Sequence, residues 1–247
     1  MMQVNSQKAK DSFKKHTKGL PTAIAAAVFI RIFFLDNFYV PTGSMIPTIL
    51  IWDHLFATKW NYGYSKHVLP FSPNIFEGRI FYTSPKRGEI VIFEMPNDDK
   101  RYVKRLIGLP GETIQIKDGI LNINDVPVKL EKVEDYTRLD PNGNKKTAVQ
   151  YIETLPEGLK HPIIHTIEKK ETSHKYVVPK GHFFMMGDNR DESGDSRHQS
   201  QMGYVPEEYI KSKAQFVWLS TDGSASWWQV WKWIPAIRWS RFFNWIR

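Results

Sequence analysis

The chain has 247 residues, which is enough to bury a substantial core as one domain. It contains no cysteine, and this excludes a disulfide framework, a thiol nucleophile and a cysteine-ligated metal. Its formal charge of +8 lies largely at the two ends, beside the most apolar and aromatic stretches, so an anionic lipid surface explains the excess better than nucleic acid does.

The N-terminal segment predicts a membrane anchor. Residues 1–19 carry five lysines and one acid, and residues 20–39 are mainly apolar, although Arg31 and Asp36 interrupt them. A bilayer-spanning helix needs about 20 mostly apolar residues. Because lysines precede this stretch and few follow it, we expect a cytoplasmic basic leader (1–19), one transmembrane helix (20–39) and an extracytoplasmic domain (40–247). The alternatives are a helix buried in a soluble core and a cleaved secretory signal, although no small-residue cleavage site follows.

The rest of the chain is expected to be mainly β. Short apolar runs separated by Pro and Gly favour antiparallel strands, and Asp118-Gly119 is a strong hairpin signal. The predicted strands are 90–93, 102–107, 113–116, 120–123, 175–178, 183–186 and 216–219. Residues 131–175 are highly charged and have the composition of solvated hairpins and loops. We therefore expect a catalytic domain with a smaller inserted β lobe at about residues 113–180.

The C-terminal segment, residues 224–247, is rich in tryptophan and basic residues. Its six tryptophans are Trp227, Trp228, Trp231, Trp233, Trp239 and Trp245. Indole rings favour the headgroup zone of a bilayer, so we expect a membrane-interface tail with lipid as a partner. The alternative is a terminal helix packed on the protein's own core. Nucleic acid is not an expected partner, because the aromatics do not interleave with basic residues along the strands.

The first motif that can carry chemistry is the segment 41–48, Pro-Thr-Gly-Ser-Met-Ile-Pro-Thr. Its two prolines forbid a regular helix and indicate a rigid loop. Gly43 would let a substrate backbone approach Ser44, which is a nucleophile if a base lies near. The Ser44 N–H and the Thr42 hydroxyl are candidates to stabilise an oxyanion. Taken alone, the segment is more typical of a plain turn.

The second motif places a lysine on a predicted strand. Alternation puts Lys104 on one face with Tyr102 and Leu106. Burial between such neighbours lowers the pKa of a lysine, and a neutral amine can accept a proton from serine. Taken alone, Lys104 is more typical of a surface lysine.

The third motif is the polar segment 187–197, Gly-Asp-Asn-Arg-Asp-Glu-Ser-Gly-Asp-Ser-Arg. It resembles a calcium loop loosely, but it lacks the spaced terminal glutamate and contains Arg190 and Arg197. A solvated loop is one interpretation of the segment. The other is a hydrogen-bonded scaffold that holds a lysine and a serine in place.

Taken together and in this order, these segments resemble the conserved boxes of the bacterial type I signal peptidases, the Ser/Lys-dyad peptidases of family S26. Residues 41–45 match the nucleophile box, 87–93 a strand box, 102–105 the general-base box and 187–197 the GDNR…SxDSR box. The resemblance covers roughly residues 30–220, and the Trp-rich tail lies outside it. Thr42 stands where the family usually has serine, and it keeps the hydroxyl.

The resemblance implies a role for each matched residue. Ser44 would be the nucleophile, Lys104 its general base, Ser193 the residue that orients Lys104, and Asp195 and Arg197 a supporting ion pair. The substrate would be a preprotein signal peptide, bound in extended form and cut after small residues. The pockets for these residues would be lined by Phe38, Val40, Met45, Ile49, Tyr102 and Val103.

No metal or organic cofactor is expected. The alternatives are a Ser/Lys processing peptidase of a conjugation-type system and an inert membrane-bound binding protein.

Overall fold

The N-terminal part of the structure is a helix followed by a strand. The computed structural model describes residues 19–70, 72–96, 98–139, 145–166 and 172–246, so the predicted basic leader lies outside the described residues except for Gly19. Helix α1 (Leu20–Phe33) has no buried residue, and β1 (Leu35–Tyr39) follows it directly.

The prediction of a helix that continues to residue 39 is wrong at its C-terminal end. Asp36 forms an ion pair with Arg101 at 2.9 Å, and Asn37 accepts a hydrogen bond from the Trp218 indole at 3.0 Å. These polar side chains bind partners of the folded domain, so residues 35–39 join its sheet. No helix in the described ranges is long and apolar enough to cross a membrane.

A large antiparallel sheet forms the centre of the fold. It contains β1, β2 (Asp53–Thr58), β17 (Ile210–Ser220), β5 (Ile90–Met95), β6 (Asp98–Gly108), β15 (His182–Met186) and β16 (Val205–Pro206), in that spatial order. A short strand, β18 (Asn244–Trp245), adds to β17. Apolar side chains of β2, β5, β6 and β17 are buried in the core, which explains the continuous apolar runs in the sequence.

The chain between β6 and β15 forms two smaller antiparallel sheets. One contains β7 (Thr113–Lys117), β8 (Ile120–Ile123), β9 (Val126–Pro127) and β14 (Tyr176–Val177). The other contains β10 (Lys129–Lys132), β11 (Tyr136–Leu139), β12 (Lys145–Thr154) and β13 (Lys160–His165). A pair of short strands, β3 (Tyr64–Ser65) and β4 (Arg79–Ile80), lies elsewhere in the chain.

The mainly β, antiparallel prediction is confirmed, and each of the seven predicted strands overlaps a strand of the structure. The β7–β8 hairpin turns at Asp118 and Gly119, which have φ values of 50° and 80°. Two successive positive φ values are what the tightest hairpin turns require. The described parts of residues 131–175 are more regular than expected, because their charged strands pair with one another as β10–β13.

The tryptophan-rich tail is packed against the domain, and its indole rings remain exposed. Helix α2 (Val230–Ala236) precedes a short 3-10 turn (Trp239–Arg241), and β18 pairs with β17. Arg241 forms an ion pair with the buried Asp53 at 2.6 Å. The six predicted tryptophans are all exposed. The tail thus has a fixed side toward the core and an indole-rich side toward the outside.

Candidate active site

The nucleophile and base predicted from the sequence lie together. The Lys104 Nζ is 2.6 Å from the Ser44 Oγ, and the two side chains belong to residues that are only 4% and 6% exposed. Ser44 lies in the turn-rich segment between β1 and β2, and Lys104 lies on the central strand β6. At this distance the amine and the hydroxyl form a direct hydrogen bond along which a proton can move.

The surroundings of Lys104 favour its neutral form. Burial lowers its pKa from 10.5 to about 8, against the opposing effect of the Asp195 and Asp188 charges. Arg197 lowers the pKa further. With a pKa of about 8, roughly a tenth of the amine is neutral at pH 7, compared with a few molecules in ten thousand for an ordinary lysine. The desolvation expected from the strand alternation is therefore present.

Strand β6 is buried on both faces around Lys104. Leu106 packs in one apolar cluster with the partly buried Tyr102, and Val103 packs in another. Arg105, which alternation places on the face opposite Lys104, is completely buried and forms a bidentate pair with Asp188 at 2.7 and 2.8 Å. Arg105 thus ties the base-bearing strand to the polar segment 187–197.

The polar segment also holds the loop that carries Ser44. The Asn189 backbone N–H donates to the Ser44 carbonyl at 3.1 Å, and its side-chain amide donates to the Gly43 carbonyl at 3.1 Å. The Thr48 hydroxyl donates to Asp188 at 2.5 Å. Three bonds therefore fix the backbone and the far end of the loop that carries Ser44.

Asp195 and Arg197 form the predicted ion pair, with two contacts of 2.9 Å. Asp195 also accepts a hydrogen bond from the Gly187 N–H at 2.9 Å. Burial alone would raise the pKa of Asp195, but the charge and hydrogen bonds of Arg197 lower it, so the carboxylate is held ionised. Its negative charge faces Lys104 and keeps the pKa of the lysine from falling further.

Comparisons with known proteins show the family of this chain. The family described as signal peptidase, peptidase S26, matches residues 14–219. A signal peptidase I of Rickettsia typhi is 40% identical, over 98% of this chain and 97% of that protein. A signal peptidase I of Rickettsia felis is 42% identical, over 90% of this chain and 88% of that protein. The chain belongs to the signal peptidase family, peptidase S26.

A solved structure of a signal peptidase I from Enterococcus faecalis is also similar, with 31% identity over 53% of this chain and 97% of that chain, at a TM-score of 0.32. The family resemblance drawn from the sequence boxes is confirmed by the matches over nearly the full chain. The chain is accordingly an enzyme of the serine peptidase class, with the signal peptidase activity of its family.

A cleft of about 470 Å³ opens beside Ser44 and Lys104 of this signal peptidase family member. Ser44, Lys104 and Thr42 line it, and Thr42 is exposed at its wall. Of the six predicted substrate-binding residues, Phe38, Tyr102 and Val103 line the cleft. The other three, Val40, Met45 and Ile49, are at most 1% exposed and belong to the apolar cluster beneath it.

Two glycines near the dyad are explained by close packing. A Cβ on Gly43 would lie 2.9 Å from the Ile46 Cδ1, so the space beside Gly43 is already used by the protein's own side chain. A Cβ on Gly187 would collide with the Ser193 hydroxyl and with the Ser44 carbonyl. The absence of a side chain at Gly187 is thus what lets the two segments meet.

Ser193 is the predicted residue whose expected contact is missing. It is 4% exposed, and its hydroxyl lies in the space next to Gly187 and Ser44. Within the described residues, that hydroxyl makes no hydrogen bond to the Lys104 amine, and it acts on Asp195 instead, where it helps to lower the pKa of the carboxyl. The orienting role of Ser193 therefore remains a prediction.

Sequence reasoning missed a set of buried charges behind the scaffold. Glu153 on β12 forms an ion pair with Arg190 at 2.6 Å, and His161 on β13 lies between Glu153 and Asp188. These two residues lie in a charged stretch that has the composition of a solvated surface. The one available signal is the apolar run 162–164 beside His161, which indicates a buried strand. No group of three or more His, Asp or Glu side chains suited to a metal ion occurs in the described ranges.

Proposed function

We propose that this chain cleaves N-terminal signal peptides from preproteins by means of a Ser44/Lys104 dyad. The observation that carries the proposal is the 2.6 Å contact between a buried amine of lowered pKa and a serine hydroxyl at the wall of a cleft. The family match and the curated signal peptidase I relatives support the substrate class. They do not favour the alternative of a conjugation-type processing peptidase.

The chemistry follows from the positions of the two groups. Neutral Lys104 takes the Ser44 proton as the Ser44 oxygen bonds to the scissile carbonyl carbon. The peptide C–N bond then breaks, the leaving amine receives the proton from Lys104, and an ester remains on Ser44. A water molecule gives a proton to Lys104 and attacks the ester, which releases the signal peptide and returns the proton to Ser44. The Ser44 N–H and the Thr42 hydroxyl are the proposed oxyanion donors.

The substrate is proposed to bind as an added β-strand along β6. Strand β15 pairs with β6 only at Arg105, Leu106 and Gly108, whereas β5 pairs with β6 from Asp98 to Arg105. Within the described strands, the edge of β6 before Arg105 is therefore left to a ligand, and it faces the cleft. An extended peptide gains main-chain hydrogen bonds on such an edge. The shallow apolar wall of Phe38 and Val103 favours small side chains next to the cut.

The cleft is proposed to work at a membrane surface. Helix α1 presents exposed apolar residues and enters β1, which ends directly before the Ser44 loop. The exposed indole rings of the tail are a second surface of interfacial character. Together with the lysines of residues 1–19, these features support a single-pass topology in which residues 1–19 are cytoplasmic and the catalytic domain is outside. Protease added to spheroplasts should degrade the catalytic domain, and complete protection of that domain would exclude this topology.

Cleavage of one preprotein by the purified full chain in detergent tests the function. Wild type should release the signal peptide, and Ser44→Ala should abolish nearly all cleavage because the two groups act as a unit. Ser224→Ala is the matched control, since that serine is exposed and lies outside the cleft. Strong residual cleavage by Ser44→Ala would sink the assignment of the nucleophile.

A further inference from the structure

A chain of buried ionisable groups connects the base-bearing strand to the second small sheet. Arg105 on β6 pairs with Asp188, the Asp188 Oδ1 lies 3.5 Å from the His161 Nδ1, and the His161 Nε2 lies 3.2 Å from the Glu153 Oε2. Glu153 then pairs with Arg190 at 2.6 Å. All five residues are at most 4% exposed. Glu153 and His161 face each other as paired residues of β12 and β13.

Stability alone gives a poor account of this arrangement. A buried ion pair loses about as much in desolvation as it gains from attraction, and packed apolar side chains often stabilise a core as well or better. The two buried ion pairs do favour a single geometry, because moving Arg105 away from Asp188 or Arg190 away from Glu153 would leave a buried charge unpaired. The groups that meet here come from a strand of the catalytic sheet, from the polar segment 187–197 and from the second small sheet. They therefore fix the relative position of three separate elements.

The position fixed in this way is that of the nucleophile loop. The Ile164 N–H donates to the Asp188 carbonyl at 2.9 Å, and the Arg190 N–H donates to the Ile164 carbonyl at 3.0 Å. Residues 188–190 therefore run beside β13 as a short parallel bridge. On their other side, Asn189 donates to the Ser44 carbonyl at 3.1 Å. The segment lies between the second small sheet and Ser44. A shift of that sheet would move Asn189, which contacts Ser44 directly.

We propose that Glu153 and His161 are positioning residues of the Ser44–Lys104 dyad. They act through Arg190 and Asp188, which hold Asn189 against the carbonyl of the nucleophile. The second small sheet is then part of the catalytic apparatus, although none of its strands lines the cleft. This inference rests on the proposed function of the dyad.

The test compares isosteric variants of the full chain in detergent. Glu153→Gln keeps the shape of the side chain and removes its charge, and His161→Gln replaces the ring with an amide of similar reach. A displacement of about 1 Å at a reacting group can cost two orders of magnitude in rate, so kcat should fall about tenfold or more in each variant. KM for the preprotein should stay within about twofold, because the cleft wall is untouched. Glu131→Gln, on the neighbouring strand β10, and His174→Gln, at an exposed position before β14, are matched controls and should cleave like wild type.

A double-mutant cycle separates positioning from general loosening. If Glu153 acts through Arg190, the double variant Glu153→Gln/Arg190→Gln should cleave no more slowly than the worse single variant. All rates are measured well below the midpoint temperature of unfolding of each variant. If Glu153→Gln does not fold, the kcat of His161→Gln decides the test. An additive loss in the cycle, or a kcat within twofold of wild type in the folded variants, would overturn the positioning role.

Different results would exclude the positioning role and the proposed dyad. Loss of cleavage in Ser44→Ala together with unchanged kcat in Glu153→Gln and His161→Gln removes the positioning role alone. Cleavage that survives in Ser44→Ala removes the proposed dyad itself.

Discussion

Replacing the buried Lys104 with methionine should stabilise the fold at neutral pH while it destroys activity. The structure lowers the pKa of Lys104 from 10.5 to about 8, mainly by burial. A difference of that size corresponds to roughly 3 kcal/mol of free energy, because each unit of pKa is worth about 1.4 kcal/mol. At pH 7 the lysine is charged in both the folded and the unfolded chain, so the folded chain carries the whole penalty.

The sign of the pH dependence follows from proton binding. Between pH 8 and 10.5 the unfolded chain binds more protons at this lysine than the folded chain does, so the stability of wild type rises with pH across this window. Methionine has a similar length and no charge. The stability of the Lys104→Met variant therefore has no pH dependence that comes from this position. The variant also lacks the hydrogen bond to the Ser44 Oγ, a loss of about 1 kcal/mol. Lys104→Met should therefore be more stable than wild type by about 2 kcal/mol at pH 7, and the gap should close as the pH approaches 10.5.

Urea unfolding of the full chain in detergent, followed by tryptophan fluorescence, measures this difference. Each free energy is measured at pH 7 and at pH 10, and only the difference between the two proteins is interpreted, since the other groups that titrate in this range are common to both. Lys132→Met, at an exposed position of β10, is the control and should change stability by less than about 0.5 kcal/mol at either pH. A variant that is less stable than wild type at pH 7, or a gap that is the same at both pH values, would refute the reasoning.

Two further predictions concern activity. The value of kcat/KM should rise with pH along a curve with its midpoint at about 8, because the proposed base is the neutral form of Lys104. A midpoint near 10.5 in a pH series on one preprotein would contradict this. Gly187→Ala should lower cleavage by about a hundredfold, because its Cβ would collide with Ser193 and with the Ser44 carbonyl. Gly19→Ala, whose Cβ would meet nothing within 4 Å, serves as its control, and equal rates for these two variants would show that Gly187 does not set the position of the nucleophile.

The sequence predicts the strands of the large sheet from their short apolar runs. The runs 90–93 and 183–186 are uniformly apolar, and in 102–107 the charged Lys104 and Arg105 stand among four apolar residues. Each run lies inside a strand of the large sheet. The hairpin at Asp118-Gly119 is equally readable, since few residue pairs accept two positive φ values. In both cases the local pattern and the tertiary environment demand the same residues.

The end of the N-terminal helix and the second small sheet could not be predicted in this way. Asp36 and Asn37 interrupt the apolar stretch, but apolar residues stand on both sides of them, and only the distant partners Arg101 and Trp218 show why the chain continues as a strand. The charged strands β10–β13 lack an alternating apolar pattern, because several of their inward groups are ionic. The sequence does not distinguish a buried charged residue from a solvated one, and the partners of the buried residue are far away in the chain.

The residues of the candidate site also differ in whether the sequence alone could predict them. Ser44 and Lys104 could be found because their motifs resemble a known set in order and spacing, although each motif alone is more typical of an ordinary turn or surface strand. The substrate wall was only half predictable. Phe38 and Val40 pack in the same apolar cluster, yet of the two only Phe38 also lines the cleft.

The surroundings of Lys104 show how its pKa is set for the proposed role as a base. Burial acts to lower the pKa of the amine, and without the two nearby acids it would fall below about 8. The charges of Asp188 and Asp195 restore part of its pKa, and each of these acids is neutralised by its own arginine. The arginines Arg105 and Arg197 thus keep both acids ionised without placing a net negative charge against Lys104. Balance between burial and paired acids, more than burial alone, sets the pKa near 8, where the amine is both available at neutral pH and basic enough to take the serine proton.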